Sequence, residues 1–216
     1  MITVTAFRWV PAFARGQVRD LRVRWALEEA GLDYEVRLIG PGDQASEAYR
    51  AMQPFGQVPA MIEGDLTLFE SGAIVLDIAG RAPGLLPDDP GRRALAVAWL
   101  IASLNSVEPF LMNLAEVDFF TEDEAVKAAR RPGVVAVLER RLADLQAALG
   151  DRDYLVDEFS AADLMMTTVL RIMGHTTILA AYPQLTAYRQ RCEARPAFQR
   201  ALAAQLGDFV ADPPAS

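Results

Sequence analysis

Glu70-Ser71 and Val58-Pro59 are the residues whose types and spacing could hold a small polar ligand. Ser71 stands where a helix opens. Its hydroxyl can cap the free amides of the first turn, and Glu70 then lies at the positive end of the helix. The same free amides bind a carboxylate, and Glu70 beside them could hold an ammonium, so the pair would grip an α-amino acid head group. Val58-Pro59 falls between a helix and a strand. A cis bond there would expose the backbone amide and carbonyl of Val58 to a ligand, whereas a trans proline would simply start the strand. Taken singly, each pair reads more simply as a cap and a strand start.

Other chemistries fail on inventory. Lys127 is the single lysine and follows no glycine loop, which excludes a P-loop. His175 is the single histidine and Cys192 the single cysteine, which together make no recognised zinc site; no G-x-S-x-G marks a nucleophilic serine, and His175 reads as a buried or capping residue. Gly40-Pro41-Gly42-Asp43-Gln44-Ala45 fits the dinucleotide pattern G-x-G-x-x-A, with Glu63 near the expected acidic position. The helix after it is short, Pro41 stiffens the turn, and a strand-helix unit already precedes it, so the match is discounted.

The 216 residues carry a net charge of -8. That charge repels phosphate backbones and anionic lipid heads, so neither nucleic acid nor a membrane surface is an expected partner. A hydrophobic share of 52% supports a packed globule. One cysteine allows no internal disulfide, which fits a reducing, cytoplasmic setting. Met1 to Gly16 lacks the basic start of a signal peptide, and no uninterrupted apolar stretch is expected to span a bilayer.

The elements that must position the two pairs follow from periodicity. Residues 2–7 are β-branched and apolar and read as a buried strand. Residues 9–16 read as a loop, and 17–30 as a helix with Leu21, Val23, Ala26, Leu27 and Ala30 on or near one face, closed by Gly31. A second strand covers 34–39, a short helix 46–52, two strands 60–63 and 66–69 joined at Gly64-Asp65, and a helix 71–79. The order is βαβ, helix, ββα. Residues 81–90, rich in proline and glycine, read as a linker between a first domain, 1–80, and an all-helical domain, 91–216. In the second domain a helix over 92–115 is kinked or ended by Pro109, and one over 122–130 stops near Pro132-Gly133 before another at 134–149. Ser160 and Asp163 form a capping box, with Phe159 and Leu164 spaced as a staple. Two closing helices cover 182–194 and 196–206, and the tail 211–216 reads as loose.

In that order the pieces resemble the glutathione transferase superfamily over nearly the whole chain. The carriers are Arg22 to Gly31 in the first helix, Gln53-Pro54-Phe55-Gly56-Gln57-Val58-Pro59-Ala60, Phe69-Glu70-Ser71-Gly72-Ala73-Ile74, and Phe159-Ser160-Ala161-Ala162-Asp163. The resemblance implies a thioredoxin-like domain followed by a helical one. It also implies glutathione as co-substrate, a small hydrophobic electrophile, a detoxification role, a homodimer and no metal. Val58 before a cis Pro59 would pair with the cysteinyl backbone of glutathione, with Gln57 next to it. Glu70 and Ser71 would hold the γ-glutamyl group, and Gln44 would reach the glycine carboxylate.

Where the family usually places Tyr, Ser or Cys after the first strand, this chain has no Ser, Thr, Tyr or Cys from Ala6 to Asp33. If a thiolate attacks, another group must lower a thiol pKa of roughly 8.5. The helix end near Gln17 together with Arg15 is the candidate, with Arg19 a further charge. Trp9, Phe13, Asn105, Phe110, Met112 and Asn113 are candidates for the electrophile pocket, since aromatics and methionine suit a broad apolar specificity. Two alternatives remain open: a glutathione-dependent disulfide reductase or peroxidase on the same fold, and a non-catalytic binding module.

Overall fold

The structure, a computed structural model, describes residues 1–40 and 42–211. Pro41 of the Gly40–Ala45 stretch, and the tail expectation over 212–216, lie outside the described residues.

Four strands, β1 (Ile2–Phe7), β2 (Tyr34–Ile39), β3 (Ala60–Glu63) and β4 (Leu66–Phe69), form one mixed sheet in the order β2-β1-β3-β4. β1 and β2 are parallel, Phe7 opposite Ile39, and are linked by helix α1 (Asp20–Ala30). β3 runs antiparallel to both β1 and β4, with Ala60 opposite Phe69. Helix α2 (Glu47–Met52) precedes β3, and α3 (Ser71–Ala79) follows β4. The expected βαβ-α-ββα order is therefore present. Alternation along β1 turns Thr5 towards Tyr49 of α2, and α1 packs beside α3.

One helix boundary differs from the sequence expectation. The helix placed at Gln17 starts at Asp20, with Arg19 as its N-cap, and the chain from Ala12 to Arg19 is a 3-10 turn followed by further turns. Asp20 sets the start. Its carboxylate lies at the positive end of the helix, is buried, and accepts from Arg24 Nε at 2.8 Å and from Gln205 Nε2 at 2.7 Å.

The chain packs as two compact units, Met1–Leu86 joined by the stretch from Ala194 onward, and Pro87–Glu193. The division expected from sequence, with 91–216 as one helical domain, differs in its last part. Helix α9 (Pro196–Asp208) lies on α1 in the first unit. Phe198 meets Trp25 edge-on with ring centroids 4.8 Å apart, Arg195 bonds Glu29, and Arg24 bonds Asp208 at 2.6 Å. Burying Phe198 contributes about 1.5–3 kcal/mol, more than a surface ion pair, so the aromatic contact dominates this attachment.

The second unit contains α4 (Pro90–Ala102), α5 (Glu108–Ala115), α6 (Glu124–Leu149), α7 (Ala161–Leu170) and α8 (Pro183–Glu193). π-helical turns at Ser103–Val107 and Glu116–Phe120 flank α5. Pro109 does mark a boundary, occupying the first turn of α5, where its missing amide costs nothing. Pro132 does not. The two helices expected on either side of it are one, because Leu138, Leu142, Leu145 and Leu149 bury a continuous stripe that outweighs the roughly 3 kcal/mol of an internal proline. The run Pro90–Phe120 is long and apolar enough, by length and composition, to cross a membrane, although its sequence is broken by charges. Here its inner face, including Leu100, Leu111 and Leu114, is buried and the run packs on α6 and α7.

α7 is buried along its whole length. Both halves of the Ser160–Asp163 capping box form, and Asp163 also accepts from Leu155 N at 2.8 Å and Tyr188 Oη at 3.0 Å. Burial pushes the Asp163 carboxyl up, against the pull of these donors. His175 is not buried. Its Nε2 lies 3.0 Å from Asp118 Oδ2, and its Nδ1 lies 3.2 Å from the Ile172 carbonyl.

Candidate functional site

Strand register assembles the site in the first unit. β1 and β2 end where β3 begins, and Ala60 opposite Phe69 places Pro59 beside Glu70, one step further along each strand. The loop after β1, the Val58-Pro59 bond and the start of α3 therefore share one end of the sheet.

The Val58-Pro59 bond is cis. The loop before it is held by buried polar groups. Gln53 Oε1 accepts from Phe55 N at 2.7 Å and Gln57 N at 3.1 Å. Tyr49 Oη donates to the Gln57 carbonyl at 2.7 Å, so in its 2.9 Å contact with Thr5 the threonine is the donor. Thr5 Oγ1 in turn accepts from Ala60 N at 2.7 Å. Burial pushes the Tyr49 hydroxyl pKa up, which keeps it a donor at neutral pH. Gly56 is obligatory here. Its φ is 65°, and a Cβ would sit 2.9 Å from both the Gln44 carbonyl and the Arg50 guanidinium carbon. The same close approach places Gln44 beside the 53–57 loop.

Glu70 has φ 69° and ψ 112°, a conformation that non-glycine residues seldom hold without compensation. It is exposed, while Ser71 next to it is buried at the first position of α3. Ser71 Oγ accepts from Nη1 of Arg22, a guanidinium 3% exposed on α1, at 3.2 Å. The arrangement offers a ligand a carboxylate, a hydroxyl and the free amides of a helix end within two residues, a set that matches an ammonium and a carboxylate on one carbon.

Arg15 and Gln17 lie in the turns before α1. Arg15 Nη2 donates to the Val210 carbonyl at 3.1 Å, its guanidinium carbon is 5.9 Å from the Phe209 ring, and Val210 N donates to the Arg8 carbonyl at 3.0 Å. Gln17 Oε1 and Arg15 Nε are buried without a hydrogen-bond partner, an arrangement that calls for an explanation. Trp9 is half-buried and Phe13 exposed on the same loop.

In the second unit, Phe110 and Asn113 line a cavity of about 360 Å³ together with Val134 and Val137 of α6. Arg141 stacks over the Phe110 ring at 4.8 Å. Asn105, in the first π turn, and Met112 are exposed and do not line that cavity, so the structure divides these four expected pocket residues between two surfaces. Among the described residues no group of three His, Cys, Asp or Glu side chains is placed to hold a metal.

A second cleft in the first unit, of about 700 Å³, opens at the other end of the sheet around Asp33 and Tyr34. Four of the five charged residues lining it pair with one another, Arg24 with Asp208 and Arg200 with Glu28, which leaves little to recognise a ligand. Thr5, Tyr49, Gln53 and Arg22 were not singled out from sequence. Tyr49 and Gln53 carry a local signal, a lone aromatic and an amide just ahead of a Pro-x-Gly turn. Nothing local marks Arg22, whose partner is 49 residues away.

Residues 13–79 match the family described as glutathione S-transferase, N-terminal domain, and residues 109–205 match the glutathione S-transferase, C-terminal domain. A glutathione S-transferase of Hyoscyamus muticus is 30% identical over 84% of this chain and 92% of its own. Among solved structures, a theta class glutathione S-transferase of Xanthomonas axonopodis pv. citri with glutathione bound is 29% identical, with TM-score 0.78 over 95% of this chain and 98% of that one. A Burkholderia graminis glutathione transferase with two glutathione molecules bound per subunit is 26% identical, with TM-score 0.80 over 94% and 88%.

Proposed function

We propose, from the premise that the chain belongs to the glutathione S-transferase family, that it is a glutathione transferase whose peptide site is the shared sheet end just described. The sheet and its helices up to α3 are then the family's thioredoxin-like domain. The observation that carries the site assignment is the register that sets Val58-Pro59 beside Glu70 and the buried Ser71. Glu70 takes the α-ammonium of the γ-glutamyl group, and Ser71 with the first amides of α3 takes its α-carboxylate. Val58 pairs with the cysteinyl backbone, with Gln57 flanking it, and Gln44, beside the same loop, reaches the glycine carboxylate.

In the reaction the thiol proton leaves to solvent. The thiolate forms a carbon–sulfur bond with an apolar electrophile, and the leaving group departs with the electron pair of the bond that breaks. With no hydroxyl or thiol between Phe7 and Tyr34, activation falls to Arg15 and to Gln17, whose buried amide oxygen lacks a protein partner. An amide flip would present its NH2 rather than its oxygen to the sulfur. Trp9 and Phe13, on the same loop of the first unit, supply apolar surroundings. A homodimer is part of the proposal, supported by an exposed aromatic pair, Phe55 and Phe69, with ring centroids 6.3 Å apart.

Titration calorimetry with glutathione tests the site. Glu70→Ala is expected to weaken binding by about tenfold or more, since a hydrogen bond to a charged group is worth about 1.5–3 kcal/mol. Unchanged affinity would contradict the assignment. Turnover of a halogenated nitroaromatic against a disulfide and a peroxide separates transfer from reduction. Reduction through the protein's own thiol is disfavoured because Cys192 is fully buried in α8. The missing hydroxyl favours one further reading, a binding module, which glutathione binding without turnover of any of these substrates would support.

A further inference from the structure

We infer that Arg22 is a positioning residue for recognition of the ligand's α-carboxylate, acting through the Ser71 hydroxyl; this rests on the glutathione reading above. Arg22 is the third residue of α1, and α1 packs directly against α3. Its guanidinium is almost wholly buried and reaches Ser71 Oγ at 3.2 Å. A guanidinium keeps its charge in any protein environment and only donates.

Two consequences follow for Ser71. The hydroxyl has one proton and two lone pairs. With a lone pair occupied by the Arg22 N–H, its geometry is set and its proton is directed away from Arg22. Ser71 therefore meets a ligand as a donor, which suits a carboxylate and disfavours a competing N–H. The second consequence is electrostatic. The start of α3 carries about half a positive charge. Arg22 places a full one behind the same hydroxyl, in surroundings where solvent screens it poorly. Both act at the carboxylate position, whereas the exposed Glu70 carboxylate next to Ser71 serves the ammonium. Burial also explains why the cation at this position of α1, between Leu21 and Val23, both buried, is an arginine. Arginine is the cation that keeps its charge at such a depth.

The experiment compares two peptides by titration calorimetry: glutathione, and γ-aminobutyryl-cysteinyl-glycine, which keeps the ammonium's chain position and the thiol but lacks the α-carboxylate. Wild type, Arg22→Gln, Arg22→Lys, Ser71→Ala and the Arg22→Gln/Ser71→Ala double variant are measured, each checked by thermal melting. The wild type is expected to prefer glutathione. Arg22→Gln should weaken glutathione by about 10- to 100-fold, the range for loss of a charge-assisted bond, and leave the analogue close to unchanged. Arg22→Lys should recover part of the preference. The double variant should be little worse than the worse single one, because both remove the same interaction. If Arg22→Gln does not fold, Arg22→Lys still decides, since a lysine cannot reproduce the fixed guanidinium geometry at Ser71 and must lower the preference for glutathione; an undiminished preference would overturn the role of Arg22. Equal weakening of both peptides, or additive losses in the double variant, would overturn the role of Arg22 while leaving the glutathione reading in place. Wild type that binds neither peptide would overturn that reading, and this inference with it.

Discussion

Arg15 shows how far a residue's charge and its partners can diverge. Its position in the loop after β1 suggests a cation free to face a thiolate. The structure instead ties one of its nitrogens to the Val210 carbonyl and sets its guanidinium near Phe209, leaving Nε buried and without a partner. The charge still sits on the loop between β1 and α1, to which the proposal assigns thiol activation, so both roles are compatible. Ultraviolet titration of bound glutathione decides between them. In Arg15→Ala the thiol pKa is expected to return most of the way to roughly 8.5. An unchanged value would reduce Arg15 to an anchor of the C-terminal segment. At this scale the sequence was informative about Val58-Pro59, Glu70 and Ser71, because a cap and a strand start are local features. It was silent about Thr5 and Arg22, whose partners are 44 to 55 residues away.

At the scale of elements, the return of α9 to α1 has a direct consequence for the site loop. The chain after α9 bonds to Arg8 and Arg15, at the two ends of the loop that carries Trp9 and Phe13. Ending the chain at Asp208 removes both bonds, worth about 1 kcal/mol each. The expected result is a Tm lower by about 4–8 °C and a fall in kcat larger than any change in KM for glutathione, because Glu70 and Ser71 stay in place. Unaltered melting and turnover would show that the segment holds nothing. The second π turn supplies a pH-dependent link. Burial pushes the Asp118 carboxyl up, but hydrogen bonds from Arg131 and His175, with the Arg131 charge, outweigh it and hold the group below the usual 3.8. A carboxyl with a depressed folded pKa contributes stability above its unfolded pKa and loses it as the pH falls through the folded value. Thermal melts from pH 6 downward should therefore show wild type losing stability below about pH 4, with the Asp118→Asn protein lower at pH 6 and flatter over that window. Parallel curves would remove Asp118 from the account.

For the molecule as a whole, the exposed apolar groups on the first unit bear on assembly. Phe55 is 63% exposed and its ring meets that of Phe69, also exposed. Scattered apolar side chains are ordinary on a surface, and this exposed aromatic pair is the feature on which the proposed homodimer rests. Phe55→Glu is expected to shift the protein from dimer to monomer in size-exclusion chromatography with light scattering, with glutathione affinity retained because Phe55 bonds only through its backbone to Gln53. Dimers persisting in the variant at micromolar concentration would exclude this face. The division into units also belongs to this scale. A boundary near Pro87 is readable from the proline and glycine content of 81–90, whereas the transfer of α9 to the first unit is not.

What the sequence determined by itself is local: each strand and helix of the first 80 residues, the Ser160–Asp163 capping box, and the two dipeptides, Val58-Pro59 and Glu70-Ser71, on which the proposed glutathione site is built. Period, caps and turn residues act over a few positions, so they can be read in line. The tertiary structure alone decided that Pro132 is absorbed into one helix, that Phe198 seats against Trp25, that Arg15 meets Val210, and that Arg22 lies behind Ser71. In each of these the determining quantity is burial against, or a bond to, a group distant in the chain. A stripe of buried leucines can outweigh a proline, and a buried charge takes whichever partner the packing brings within reach.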